Sequence, residues 1–64
     1  SCKISRKEES VSFPAEDHAI YQAAIFAEIA QGPGRKYHMQ YHCRIEFKRS
    51  GHDWLAEAIV LTPV

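Results

Sequence analysis

Four histidines, two cysteines and one glycine-rich turn are the side chains and backbone features of this 64-residue sequence best suited to chemistry. His18, His38, His42 and His52 suggest a transition-metal site. His38 and His42 share one face of an alternating run, but four strand residues separate them by about 13 Å. They cannot hold one ion together. No Cys-x-x-Cys and no His-x-x-x-His on a helix is present, so no metal site is expected within one chain. A site shared across a symmetric dimer is the one arrangement left open.

Cys43 next to His42 resembles a nucleophile beside its base only in the linear order. Neighbouring strand residues point to opposite faces, so this thiol and imidazole do not meet. Gly32-Pro33-Gly34-Arg35-Lys36 lacks phosphate-loop spacing and follows a predicted helix instead of opening one. Glu16, Asp17, Glu28, Glu46 and Glu57 read as salt-pairing carboxylates. The sequence therefore predicts no catalytic set, no cofactor and no enzyme. No motif matches a family pattern well enough to carry residues over.

Whatever this chain does must then come from its surfaces, and hydrophobic patterning places those. Residues 36 to 48 alternate without a break: Tyr37, Met39, Tyr41, Cys43, Ile45 and Phe47 point one way, with polar residues between them. This is a half-buried strand. Residues 53–62 predict another. Between them a turn on Ser50-Gly51 would set Phe47 opposite Trp54, Lys48 opposite Asp53 and Arg44 opposite Glu57. In that register Leu55, Ile59 and Leu61 fall on the polar face. An apolar both-faced strand is central in its sheet or covered on its second face, and the central place between the other two strands is expected here.

Pro14, the acidic pair Glu16-Asp17, frequent alanine and the Gln31-Gly32-Pro33-Gly34 stop predict a helix over 15–31. Its broad stripe is anchored by Ile20 and Phe26. A second stripe holds Tyr21, Ile25 and Ile29 beside His18 and Gln22. Residues 3–13 predict one irregular strand, because Ile4 is out of phase with Val11 and Phe13. A bulge at Lys7-Glu8 reconciles them; a small hairpin turning there is the alternative. The expected fold is a single α+β domain over residues 1–64, β-α-β-β, with a three-stranded antiparallel sheet in order 1-3-2 and the helix on one face.

Eight basic residues balance eight acidic ones, which gives little pull toward a phosphate backbone. No stretch resembles a signal peptide or reaches bilayer length. Two cysteines support at most one bridge, and two reduced thiols are the simpler reading. These features predict a soluble cytoplasmic protein with no membrane partner. A chain this short gains little net stability from its own core, and self-association supplies the remainder.

The expected function is a non-catalytic protein-interaction module, a dimeric adaptor or inhibitor such as a phage or mobile element encodes. Leu55, Ile59 and Leu61 with His42 are the expected homodimer surface. His18, Tyr21, Gln22, Ile25 and Ile29 are the expected surface for a foreign protein. A second reading is a nucleic-acid-binding accessory protein using a basic hairpin edge of Arg35, Lys36, Lys48 and Arg49. A third is a small-ligand carrier with its pocket at an oligomer interface.

Overall fold

The computed structural model describes all 64 residues as four antiparallel strands in one sheet, with no helix. β1 runs Cys2–Ala15, β2 His18–Ala30, β3 Lys36–Ser50 and β4 Asp53–Pro63. Sheet order follows chain order, β1-β2-β3-β4. This overturns the expected α+β fold: there is no helix over 15–31, the sheet has four strands instead of three, and no crossover produces a 1-3-2 order.

The physical reason lies in β2. Every odd residue from Ala19 to Ile29 is apolar, while His18, Gln22 and Glu28 sit among the even ones. That is a strand pattern blurred by Ile20, Ala24 and Phe26 on the second face. Alanine's helix preference is worth only tenths of a kcal/mol per residue against most alternatives. Here it yields to pairing on both edges, with β1 from Cys2↔Ile29 to Ala15↔His18 and with β3 from His18↔Lys48 to Ala30↔Lys36.

The signals assigned to helix ends serve as hairpin turns. Glu16-Asp17 is a two-residue loop closed by Ala15↔His18. Pro14 lies in a register shift between Ser12 and Ala15, where its missing N–H breaks no regular ladder. Residues 31–35 form the β2–β3 loop. Gln31 N–H donates to the Arg35 carbonyl at 3.0 Å, and Gly32 and Gly34 both take φ of 75°.

β1 is the irregular strand anticipated from its phase break, without the alternative hairpin. Lys7 pairs with Ala24 and Ser10 with Gln22, so Glu8 and Glu9 together oppose Ala23. Glu8 bears the cost in its left-handed backbone, φ 55°. The extra residue switches the inward parity from even to odd. Ile4, opposite Ala27, and Val11, opposite Tyr21, thereby reach the same face.

The β3–β4 register also differs from expectation. The turn is Gly51-His52, closed by Ser50↔Asp53, because Gly51 takes the positive φ of 64° at the first loop position. Phe47 then faces Ala56, Lys48 faces Leu55 and Arg49 faces Trp54. A second irregularity follows: Phe47 pairs with Ala56 but Glu46 with Ala58, leaving Glu57 as the extra residue. The expected pairs Lys48–Asp53 and Arg44–Glu57 do not form. Arg44 instead reaches Glu46 on its own strand at 3.0 Å.

This bulge removes the anomaly of the last strand for Ile59 and Leu61, while Leu55, which precedes it, stays on the outer face opposite Lys48. Ile59 pairs with Ile45 and Leu61 with Cys43, on the same face as Phe47 and Trp54. β4 is consequently an edge strand, not a central one. The whole chain is a single layer measuring 50 × 19 × 15 Å between Cα extremes. Only Ala19, Ala23 and Cys43 are buried, all at the sheet centre.

Candidate association surface

The registers sort the side chains into two unlike faces. The apolar face carries Ile4, Val11, Tyr21, Ile25, Ile29, Tyr37, Met39, Tyr41, Ile45, Phe47, Trp54, Ile59 and Leu61 around the buried Ala19, Ala23 and Cys43. The outer face carries His18, Gln22, Glu28, His38, Gln40, His42, Arg44, Glu46 and Lys48, with Phe26 partly covered by Lys7. The Lys7 ammonium lies 5.5 Å from the Phe26 ring centroid, within cation–π range.

The sheet curls toward its apolar face. Phe13 of β1 and Trp54 of β4 meet edge to face, centroids 6.1 Å apart. A hollow lined by Phe13, Ala19, Phe47 and Trp54 forms beneath them. Ala19 matters there: a larger residue on β2 would fill the space into which the two rings lean. Farther along, the same face lies open. Ile59 and Ile4 are each 68% exposed and Tyr37 50%, values expected of loop residues.

The Tyr41 hydroxyl contacts Met39 Sδ at 3.5 Å on this face, and a charged cluster sits at the β1 bulge. The Tyr21 hydroxyl donates to Glu9 Oε1 at 2.6 Å, and Arg6 Nε lies 3.7 Å from the same oxygen. The hydrogen bond to the Glu9 carboxylate pushes the Tyr21 phenol above its ordinary value, with desolvation and the Glu9 charge acting in the same direction. The cluster fastens the bulge to β2.

The residues proposed from sequence divide between the faces. Of the expected dimer surface, Ile59 and Leu61 lie on the apolar face, whereas Leu55 and His42 lie on the outer one, opposite Lys48 and Thr62. Of the expected partner surface, Tyr21, Ile25 and Ile29 are on the apolar face and His18 and Gln22 on the outer face. With no helix, that surface is a row on a strand, not a helix stripe, and it joins Ile59 and Leu61 in one continuous patch.

Arg35 and Lys36 sit at the β2–β3 end of the sheet and Lys48 and Arg49 at the β3–β4 end. The twelve residue steps from Lys36 to Lys48 span about 40 Å of strand, so the two basic pairs do not form one edge. No group of three or more His, Cys, Asp or Glu side chains is arranged to hold a metal ion. Cys2 and Cys43 are free thiols, one exposed and one buried, paired with Ile29 and Ala23 at different levels of β2.

Phe13, Tyr37, Met39 and Trp54 belong to the exposed patch and were absent from the expected interfaces. The alternation of Tyr37 and Met39 is visible in the sequence, but the expected helix would cover that face, and no helix is present.

No family model matches the chain, and no curated protein matches it. A solved structure does: the association domain of C. elegans CaMKII superposes with a TM-score of 0.81 at 11% identity. The match covers 95% of this chain and 47% of that one, so the chain spans about half the length of its structural neighbour. At this identity the two share a fold, a curled antiparallel sheet, and the likeness extends no further.

Proposed function

We propose that this chain is a non-catalytic protein-association module whose first partner is a second copy of itself, packed on the apolar face. The observation that carries this reading is the surface area. The chain exposes 5144 Å². A compact monomer of 7.3 kDa exposes about 4,200 Å², so roughly 1,000 Å² more than expected lies open. That surplus is close to the ~800 Å² each partner contributes to a standard interface. It lies mainly on one face: eight of the eleven large apolar residues left exposed are Ile4, Val11, Phe13, Tyr37, Met39, Trp54, Ile59 and Leu61. Monomeric proteins seldom expose so continuous a patch. The fold's likeness to a domain described as an association domain agrees with the same reading.

The test compares Met39→Glu, on the apolar face, with His38→Glu, next to it on the outer face. Sedimentation equilibrium should give a self-associating wild type, an unchanged His38→Glu variant, and a Met39→Glu variant whose dissociation constant rises at least tenfold. Equal masses for all three at tens of micromolar would refute the face as the interface.

A further inference from the structure

We infer that β4 is a second self-association element: its free edge pairs antiparallel with β4 of another copy and extends one sheet into the next. This rests on the association reading above, but uses a different surface.

The two edges of the sheet are built differently. β1 has the features that discourage edge pairing: Lys3, Arg6, Lys7, Glu8 and Glu9, two register shifts and Pro14. β4 confines such features to Asp53, the Glu57 bulge and Pro63, and leaves the stretch between Glu57 and Pro63 clear of them. Ala58-Ile59-Val60-Leu61-Thr62 is uncharged, rich in strand-forming side chains and regular in its pairing to β3. A charge-free edge of this kind is a template for another strand.

The hydrogen-bond parity identifies which strand fits. Val64 N–H donates inward to the Gln40 carbonyl at 3.0 Å. Inward and outward bonding alternate along an antiparallel strand. Thr62, Val60 and Ala58 therefore bond toward β3, and Ile59 and Leu61 point N–H and C=O away from the sheet. A second β4 matches this pattern when Ile59 of each copy exchanges both backbone bonds with Leu61 of the other. Val60 then faces its own counterpart on the two-fold axis. In this register Pro63, which has no N–H, falls opposite Glu57, where the bulge already ends the regular ladder. The Ile59 and Leu61 side chains of both copies come together on the same side, so the apolar face runs unbroken across the join. Two-fold pairing of identical chains is the commonest closed assembly, and here it also joins the apolar faces of both copies, which an unrelated extended peptide would not do.

Val60→Cys in a Cys2→Ser background tests the register, because residues facing one another in a non-hydrogen-bonded pair have Cα atoms about 4.5 Å apart, within disulfide reach. Mild oxidation should cross-link Val60→Cys to a covalent dimer and leave Thr62→Cys, which would face Ala58, at least tenfold less linked. Adding Ile59→Pro removes an outward N–H without touching a bond to β3. It should abolish the Val60 cross-link while the association blocked by Met39→Glu persists. A self-associating protein with no Val60 cross-link, or with equal linking at 60 and 62, overturns the edge pairing alone. A monomeric wild type overturns it together with the association reading. Loss of association when an unrelated extended peptide occupies β4, with no Val60 cross-link in its absence, would assign the edge to a foreign strand instead.

Discussion

Phe13 and Trp54 lie on opposite edge strands of a four-stranded sheet, yet their rings meet at 6.1 Å. In a flat sheet three strand spacings would hold their backbones about 14 Å apart. Curling of the sheet and the small side chain of Ala19 between them permit the contact. A double-mutant cycle over Phe13→Ala and Trp54→Ala should give a coupling of about 0.5–1.5 kcal/mol in chemical denaturation. Additive losses would mean that the rings do not meet in solution.

Glu8 holds a left-handed backbone that L side chains rarely adopt, φ 55°. Such strain costs of the order of 1–3 kcal/mol, part of which glycine's greater unfolded-state entropy would return. Glu8→Gly should therefore stabilise the protein by about 0.5–1 kcal/mol in urea unfolding. A destabilised Glu8→Gly variant would show that the bulge is not formed as described.

Gly51 opens the β3–β4 turn at φ 64°, and nothing lies within 4 Å of where a Cβ would sit. The cost of Gly51→Ala is therefore conformational rather than steric, about 1 kcal/mol by thermal or urea unfolding. A neutral substitution would return the turn to Ser50-Gly51 and shift the register of β4.

The sign of the Tyr21 effect follows from its partner. A phenol raised by the Glu9 carboxylate stays protonated longer when folded than when unfolded. Its contribution to stability is complete below the unfolded value near 10 and declines as pH rises from there through the raised folded value. Difference absorbance titration of wild type against Tyr21→Phe should assign a phenol titrating above that of the unfolded chain. Tyr21→Phe should also flatten the alkaline decline in stability. A Tyr21 midpoint at the unfolded value would mean the hydrogen bond to Glu9 is not held in solution.

Much of this structure was legible in two stretches. The alternation from Tyr37 to Phe47 placed β3 and its apolar face, and the clash of phase between Ile4 and Val11 located the β1 bulge to within a residue of Glu8. The rest was hidden for identifiable reasons. In β2, Ala23, Ala24, Ala27 and Ala30 favour a helix locally, and strand pairing on both sides overrides them. In β4, the Glu57 bulge changes which face Ile59 and Leu61 occupy, and a bulge has no reliable mark in a single sequence. The apolar face followed the same division. Ile59, Leu61, Tyr21, Ile25 and Ile29 were recognisable as surplus apolar residues. That they form one patch depends on β2 being a strand.

Sedimentation equilibrium of the wild-type chain at tens of micromolar, with circular dichroism to confirm strand content, tests self-association most directly. The expected result is a mass of at least twice 7.3 kDa that falls on dilution, with strand signal weakening as the face is uncovered. A stable 7.3 kDa species with full strand content at every concentration would contradict it, because the open face would then need no partner.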